Sequence, residues 1–200
     1  EIYLYVNEVL KSKDGGFFSA EDADSEGQEG AFYTWELEEI RGILTKDESA
    51  FFEHLYGIEQ EGNFNEEVSS ARNGKNIIYL KDELETFSSI FSIDHKSIKE
   101  ESDRIKQKLK IARNKRIRPS LDDKILTDWN SLMISALSKS SIVFRQEKYL
   151  SLAINSFEFI INNMVKKDST LFHCIRDNNA SIEGMIDDYA FLTKACVDLY

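Results

Sequence analysis

The second half of the chain carries two long stretches in which apolar residues recur every three or four positions. The first begins after Pro119 and runs to Leu137, and the second runs from Tyr149 to Met164. This spacing places the apolar side chains on one face of an α-helix. A short polar break near Arg145 separates the stretches, so we predict two long helices that form an antiparallel hairpin.

Shorter apolar patterns predict further helices in the first half of the chain and one at its end. The last begins near Asp187, the expected N-cap, and runs to Tyr200. Helical patterns reach both ends of the sequence without a cap or stop signal, and we therefore expect it to be part of a longer protein. The other predicted helices cover residues 1–11, a segment capped by Thr34, and residues 48–56, 84–91 and 94–113.

Between these helices lie short aromatic or β-branched runs joined by glycine- or asparagine-bearing turns. We predict one two-stranded ribbon from residues 17–19 and 31–35, and another from residues 171–175 and 181–182. Residues 62–75 are polar and rich in glycine and asparagine, which is typical of a loop. The recurring order of helix, irregular acidic loop or ribbon, and helix predicts a mainly α fold made of helical hairpins with short β-ribbons.

Composition and charge narrow the classes of function. The chain has 200 residues, 42% of them hydrophobic, which suffices for a sizeable core. Its net charge of −11 would repel phosphate groups, so we expect neither a nucleic-acid partner nor an anionic membrane surface. No run approaches the roughly 18–20 apolar residues that span a bilayer. The negative charge is compatible with neutral ligands, cations and basic partners. It could also serve only to keep the protein in solution.

The two cysteines, Cys174 and Cys196, form neither a Cys-x-x-Cys motif nor a disulfide framework. This pattern favours a reducing, cytoplasmic location, and we expect both side chains to be small buried apolar groups. Histidines are few, and none has the His-x-x-x-His spacing of a zinc site. We expect His54 and His173 to be structural, and the sequence predicts no cofactor and no metal.

Acidic side chains cluster at three junctions between loop and regular structure: Glu21/Asp22/Asp24, Asp122/Asp123 and Asp187/Asp188. The first cluster begins like a calcium-binding EF-hand loop. Counting from Asp22, however, the twelfth position is Tyr33, where that loop needs a bidentate carboxylate, so the calcium hypothesis fails. Each cluster could equally accept backbone N–H groups, and aspartates before a helix commonly cap it.

Three blocks together resemble the proteins related to spermatogenesis-associated protein 20. The blocks are residues 15–27 with 32–35, residues 118–130 and residues 187–192, and their order and spacing cover nearly the whole chain. One departure is Ser131, where we expect glycine. The resemblance implies an N-terminal thioredoxin-like domain joined to an (α/α) toroid, similar to six-hairpin glycosidases and N-acylglucosamine 2-epimerase. Residues 1–200 would then be a single fragment of the toroid, with the thioredoxin-like domain before it and further hairpins after it.

We expect the loops that carry the acidic clusters to converge on one face of the helical body, where their carboxylates would line a pocket. The candidate general acid and base residues are Asp24, Asp123 and Asp188. The candidate substrate-binding residues are Glu21, Asp22, Lys124, Trp129, Asn130 and Tyr189. Trp129 and Tyr189 also fit the apolar stripes of their helices, and for Trp129 we expect a place in the core. Trp129 and Asn130 point about 100° apart on a helix, so we expect at most one of them to line a pocket.

Two functions of different class follow. In the first, the domain binds a carbohydrate-like polyol and hydrolyses or isomerises it with a pair of carboxylates, about 5–10 Å apart for glycoside hydrolysis. In the second, the domain is a non-catalytic scaffold whose acidic groove binds a partner or presents one to the thioredoxin-like domain. Fold does not decide between them, because one fold serves many functions.

Overall fold

The computed structural model describes residues 2–65 and 72–200, so the middle of the predicted 62–75 loop lies outside the described residues. The chain divides into two compact units: unit 1, Glu1–Glu21 with Leu121–Tyr200, and unit 2, Asp22–Ser120. Helices dominate both units and the sheets are small, so the predicted mainly α class is confirmed.

In chain order the elements are α1 (Ile2–Tyr5), continued by a π-helical turn (Val6–Leu10), β1 (Ala20–Glu21), β2 (Asp24–Ser25), β3 (Gln28–Glu29), β4 (Trp35–Glu36), α2 (Leu37–Ile43), α3 (Lys46–Leu55), β5 (Lys75–Asn76), α4 (Leu84–Phe91), α5 (His95–Arg113), β6 (Leu121–Asp122), β7 (Ile125–Leu126), α6 (Thr127–Phe144), α7 (Glu147–Met164), β8 (Phe172–Arg176), β9 (Asn179–Glu183) and α8 (Ile186–Leu199).

Three helices form the body of unit 1. Helix α6 ends at Arg145, which takes the left-handed conformation (φ 51°) and turns the chain into α7. The predicted hairpin of two long helices is therefore confirmed, and α8 packs against the same α6. The core between them contains Ile134, Leu137, Leu152, Ala153, Ile160, Met164, Leu192 and Ala195.

The buried face of α6 differs from the predicted one. Trp129 is 53% exposed and Leu132 43% exposed, whereas Asn130, Ser131 and Ser138 are buried. Small side chains allow neighbouring helices to approach closely, and packing distance depends on the side chains at the contact. The hydroxyls of Ser131 and Ser138 donate to carbonyls within the same helix: Ser131 to Thr127, and Ser138 to Ile134.

Strands β7, β8 and β9 form an antiparallel sheet in unit 1, in which Ile125 lies opposite Ile175. The β8–β9 ribbon was predicted, and it is confirmed. Its two-residue turn consists of Asp177 and Asn178, both with positive φ, as a right-twisted hairpin requires. The ribbon predicted from residues 17–19 and 31–35 is wrong, because Phe17 bridges to Lys11 and residues 35–36 pair with residues 75–76.

Unit 2 has its own core. Helix α3 begins with a capping box, in which Thr45 and Glu48 each accept the other's backbone N–H. The predicted helices 48–56, 84–91 and 94–113 are confirmed as α3, α4 and α5. The helix predicted to be capped by Thr34 begins at Leu37 with Glu36 as its N-cap, and the Thr34 hydroxyl donates to the carbonyl of Gly30. Buried apolar residues of this core include Trp35, Ile40, Phe52, Leu55, Ile98 and Ile105.

Arg116 holds the loop before β4 in place. Its guanidinium donates to the carbonyls of Phe32 and Thr34 at 2.8 Å and to Glu39, and it stacks over the indole of Trp35. A planar guanidinium suits this role because it combines several donors with a face that packs on an aromatic ring. Among the residues that the structure describes, none of the helices combines the length and the apolar character that crossing a membrane requires.

Candidate functional site

Asp188 is fully buried in the first turn of α8. Its Oδ1 accepts the N–H of Asp128 at 3.0 Å, and its Oδ2 accepts the N–H of Met185 at 2.7 Å. The first N–H groups of a helix have no partner within the helix. One carboxylate therefore serves the N-terminal ends of both α6 and α8. Asp187 is not the N-cap as predicted, because the N-cap is Met185, two residues earlier, and Asp187 is an exposed residue within the first turn.

His173 approaches the same carboxylate from strand β8. Its Nδ1 lies 3.1 Å from both carboxylate oxygens of Asp188. The imidazole is 18% exposed, so the ring is largely enclosed but retains contact with solvent. A histidine held in this way has one ring nitrogen committed to the carboxylate and the other, Nε2, directed elsewhere.

Asp128 completes a cluster of three ionisable side chains with His173 and Asp188. One donor atom from each residue lies within 4.8 Å of the other two. Such a set can hold a cation or transfer a proton. Sequence reasoning missed Asp128 and His173, because the three residues come from α6, β8 and α8 and have no diagnostic spacing. The only signal was a histidine on a predicted strand close in sequence to Asp187 and Asp188.

Exposed aromatic side chains follow directly on the two aspartates. Trp129 is 53% exposed and Tyr189 is 40% exposed, so the expectation that Trp129 belongs to the core is wrong. The Tyr189 hydroxyl accepts the N–H of Leu171 at 3.1 Å, which fixes its ring beside the start of β8. Each helix therefore begins with an acidic side chain of the cluster and then an exposed aromatic ring.

Asn130 points into the protein instead. It is 2% exposed, and its amide accepts from the Phe17 N–H at 2.7 Å and donates to the Phe17 carbonyl at 3.0 Å. It also donates to the Leu126 carbonyl at 2.8 Å. The amide is thus committed to the backbone, and Asn130 attaches the segment around Phe17 to the start of α6. As expected from the helical geometry, Trp129 and Asn130 face different surroundings.

Asp123 lies elsewhere in unit 1, at a cavity of about 390 Å³. Arg176 Nε lies 2.6 Å from its Oδ1, and the aromatic rings of Phe18 and Phe159 also line the cavity. Asp188 is not among the lining residues. The neighbouring Lys124 pairs with Asp122 at 3.1 Å.

Neither Asp122 nor Asp123 caps the following helix as the sequence suggested. Helix α6 has Leu126 as its N-cap, with no side-chain cap bond from that residue. The Asp128 N–H in the first turn of α6 is instead accepted by the carboxylate of Asp188, 60 positions after Asp128 in the chain. A partner so distant in sequence cannot be found from the local pattern that capping rules use.

The first acidic cluster is divided between the units. Glu21 belongs to unit 1, where it accepts the Tyr5 hydroxyl at 2.8 Å. Asp22 and Asp24 belong to unit 2 and are exposed, and Asp22 accepts the N–H of Asp24 at 3.1 Å. In this way Asp22 stabilises the local turn.

The fold and site define a mainly α-helical protein with an aspartate–histidine cluster where two helices begin. Over its whole length the chain is similar to a segment of spermatogenesis-associated protein 20, with 29% identity to the rat (Rattus norvegicus) protein and 30% to the human (Homo sapiens) protein. The resemblance to that family drawn from the sequence blocks is thereby confirmed. An uncharacterized protein of Caenorhabditis elegans is 32% identical.

The matched segment is a minor part of each relative. The chain spans 28% of the rat protein, 29% of the human protein and 30% of the nematode protein. No protein-family model matches the chain. None of the relatives' names states a ligand or a reaction.

Proposed function

We propose that the chain forms part of an (α/α) toroid, similar to six-hairpin glycosidases, that binds a carbohydrate-like polyol where α6 and α8 begin. The order of the helices supports the toroid. Helices α6 and α8 begin beside the same carboxylate of Asp188, and α7 returns the chain between them. In a toroid of helical hairpins, the inner helices all begin at the same end, as α6 and α8 do. Each outer helix, like α7, runs back in the opposite direction to the start of the next inner helix.

The exposure of the Trp129 indole, in the first turn of α6 directly after Asp128, is the observation that carries the ligand class. A pyranose ring presents an apolar face and a rim of hydroxyl groups. An indole face stacks on the apolar face of the sugar, and carboxylates accept hydrogen bonds from its hydroxyl groups. Trp129 is more than half exposed, although burying an indole would stabilise the fold. Tyr189 supplies a second partly exposed ring at the start of α8.

The reaction we propose is hydrolysis or epimerisation of this polyol, with proton transfer by side chains of unit 1. Asp188 is one candidate, and Asp123 with Lys124 is another, at a cavity whose volume of about 390 Å³ lies in the range of small-ligand sites, roughly 300–1,000 Å³. Asp24, in unit 2, is a separate candidate that rests on the family resemblance alone, as are Glu21 and Asp22.

The wider setting is also part of the proposal. We place an upstream thioredoxin-like domain and further helical hairpins in the same protein, on the family resemblance, and locate the protein in the cytoplasm. Both cysteines are free thiols, which suits a reducing compartment.

The test is a panel of mono- and disaccharides assayed by thermal shift and tryptophan fluorescence on the full chain. The chain has two tryptophans, and Trp35 is buried, so a quencher in water reports chiefly on Trp129. A specific sugar should raise the melting temperature and protect Trp129 from acrylamide. Trp129→Ala should abolish the shift, whereas Trp129→Phe should retain part of it.

Two further variants separate the candidate positions. Asp123→Asn alters the cavity, and Asp168→Asn is its matched control, since it makes the same change at an exposed residue of unit 1 that does not line the cavity. Loss of the sugar response in Asp123→Asn alone would assign the ligand to the cavity instead of the start of α6. No response to any sugar would reject the polyol hypothesis and favour the non-catalytic scaffold.

A further inference from the structure

We infer that His173 is the acid–base residue of this site and that Asp188 is the positioning residue that fixes its tautomer. The inference rests on the proposed function and deepens it, because it replaces a pair of carboxylates by a histidine–aspartate pair. It is carried by the contact of His173 Nδ1 with both Asp188 oxygens at 3.1 Å, in a place where that carboxylate is fully buried.

The other contacts of Asp188 decide which ring nitrogen of His173 carries the proton. Both carboxylate oxygens already accept backbone N–H groups, from Asp128 and Met185. A carboxylate arranged in this way presents lone pairs to the ring, so the facing Nδ1 must be the donor. In the neutral imidazole the lone pair then resides on Nε2.

A lone pair on Nε2 makes His173 a base. It can take a proton from a ligand hydroxyl or from water, which gives an imidazolium whose positive charge is compensated by the adjacent Asp188 carboxylate. Returning the same proton to the ligand or to solvent restores the neutral ring. Histidine is suited to this task because its ordinary pKa lies near neutral pH.

A bound cation is the competing use of Asp128, His173 and Asp188, whose donor atoms lie within 4.8 Å of one another. Two features disfavour it. The N-terminal ends of α6 and α8, both positive ends of helix dipoles, meet at Asp188. Backbone N–H groups also occupy a lone pair on each Asp188 oxygen. Proton transfer adds a single positive charge, whereas a divalent cation adds two, and it uses only the Asp188 lone pairs that already face Nδ1.

The test is nitrogen NMR of the full chain labelled with ¹⁵N-histidine. The chain has three histidines, His54, His95 and His173, so single His→Gln variants assign every signal. In its neutral form His173 should show a protonated Nδ1 and an unprotonated Nε2. The exposed His95 serves as the reference histidine. A His173 signal with the proton on Nε2 would overturn the inference.

Asp188→Asn gives a stronger form of the same experiment. The asparagine amide can donate to Nδ1, so the proton of His173 should move to Nε2. If Asp188 had only a structural role, no such change of tautomer would be expected. Asp187→Asn, the matched change at the adjacent exposed residue, should leave the His173 signals unchanged. An unaltered tautomer in a folded Asp188→Asn variant would also overturn the inference.

Chemical modification of the unaltered protein does not depend on the folding of a variant. Diethyl pyrocarbonate attacks an unprotonated imidazole nitrogen, and it should modify His173 at Nε2. If His173 does not react, it is not an available base and the inference is rejected. If a chelator changes the nitrogen NMR spectrum of His173, the cluster holds a cation and the inference is rejected as well. Protection of His173 by a sugar tests the proposed function separately, since the tautomer and the reactivity are measured without ligand.

Discussion

Asp188 Oδ1 lies 3.0 Å from the amide nitrogen of Asp128, although the two residues are 60 positions apart in the chain. A side chain in the first turn of α8 thereby supplies an acceptor to the first turn of α6. The same carboxylate accepts the Met185 N–H at the start of its own helix. The relative placement of α6 and α8 thus depends on one buried carboxylate, which also faces His173.

Replacing Asp188 by alanine should destabilise unit 1. The change leaves the partly buried N–H groups of Asp128 and Met185 without their acceptor. Each unsatisfied donor costs about 1–3 kcal/mol, so we expect a loss of roughly 2–6 kcal/mol in the free energy of unfolding. Urea denaturation measures it. Asp187→Ala is the matched control, because it removes an exposed carboxylate from the same helical turn and should cost at most about 1 kcal/mol. Equal losses in both variants would contradict this role for Asp188.

Asn130→Ala should release the segment around Phe17. Asn130 bonds both the N–H and the carbonyl of Phe17, at 2.7 and 3.0 Å in a buried setting, and we expect a loss of about 2–4 kcal/mol. Hydrogen exchange at the Phe17 amide should accelerate accordingly. Asn163→Ala is the control, because Asn163 donates to the Phe159 carbonyl within its own helix. An unchanged exchange rate at Phe17 would show that other contacts hold the segment.

The helices of this chain could be predicted from sequence because their signals are local. Helix α5 was expected at residues 94–113 and is found at His95–Arg113, with Asp94 as its cap through the Ser97 N–H. An aspartate before an apolar-periodic segment is a strong start signal. The cap of α6, by contrast, comes from the start of α8, and no local rule identifies an acceptor that only the tertiary fold brings near.

Buried thiol chemistry gives a third prediction. Burial raises the pKa of the Cys174 thiol, with Lys124 partly opposing the shift, whereas Cys196 is exposed. Because the thiolate is the nucleophile, iodoacetamide at neutral pH should alkylate Cys196 at least several-fold faster than Cys174. Peptide mass spectrometry of timed samples gives both rates, and denaturant should make them similar. Equal rates in the folded protein would contradict the buried placement of Cys174.

Cys196 and Trp129 show why the burial of some residues could not be predicted from the sequence. Cys196 was expected in the core but is exposed, because it lies about 100° around α8 from the buried Ala195. Trp129 was expected in the core because an indole is large and apolar. The helix instead buries the smaller Asn130, whose amide the Phe17 backbone requires. Hydrophobicity alone could not show that a polar residue had a partner 113 positions away.

The fourth prediction concerns the acid stability of unit 2. A hydrogen bond from Lys108 at 2.6 Å, the backbone N–H of Thr45, and Arg104 together lower the pKa of the buried Glu48 from 4.5 to about 2. A carboxyl with a lowered pKa in the folded state contributes stability that is fully present above its unfolded pKa. That contribution is lost as the pH falls from about 4.5 towards 2, because protonation favours the unfolded chain.

Glu48→Gln should therefore lower the stability at neutral pH and flatten the dependence of unfolding free energy on pH between about 4.5 and 2. Part of the slope should persist, since Lys194 likewise holds the pKa of Asp198, in unit 1, at about 2. Urea titrations at closely spaced pH values measure both quantities. Glu100→Gln, which removes an exposed carboxylate paired with Lys96, controls for the change in net charge. A slope in Glu48→Gln as steep as in the unaltered chain would show that Glu48 does not link folding to protonation in this range.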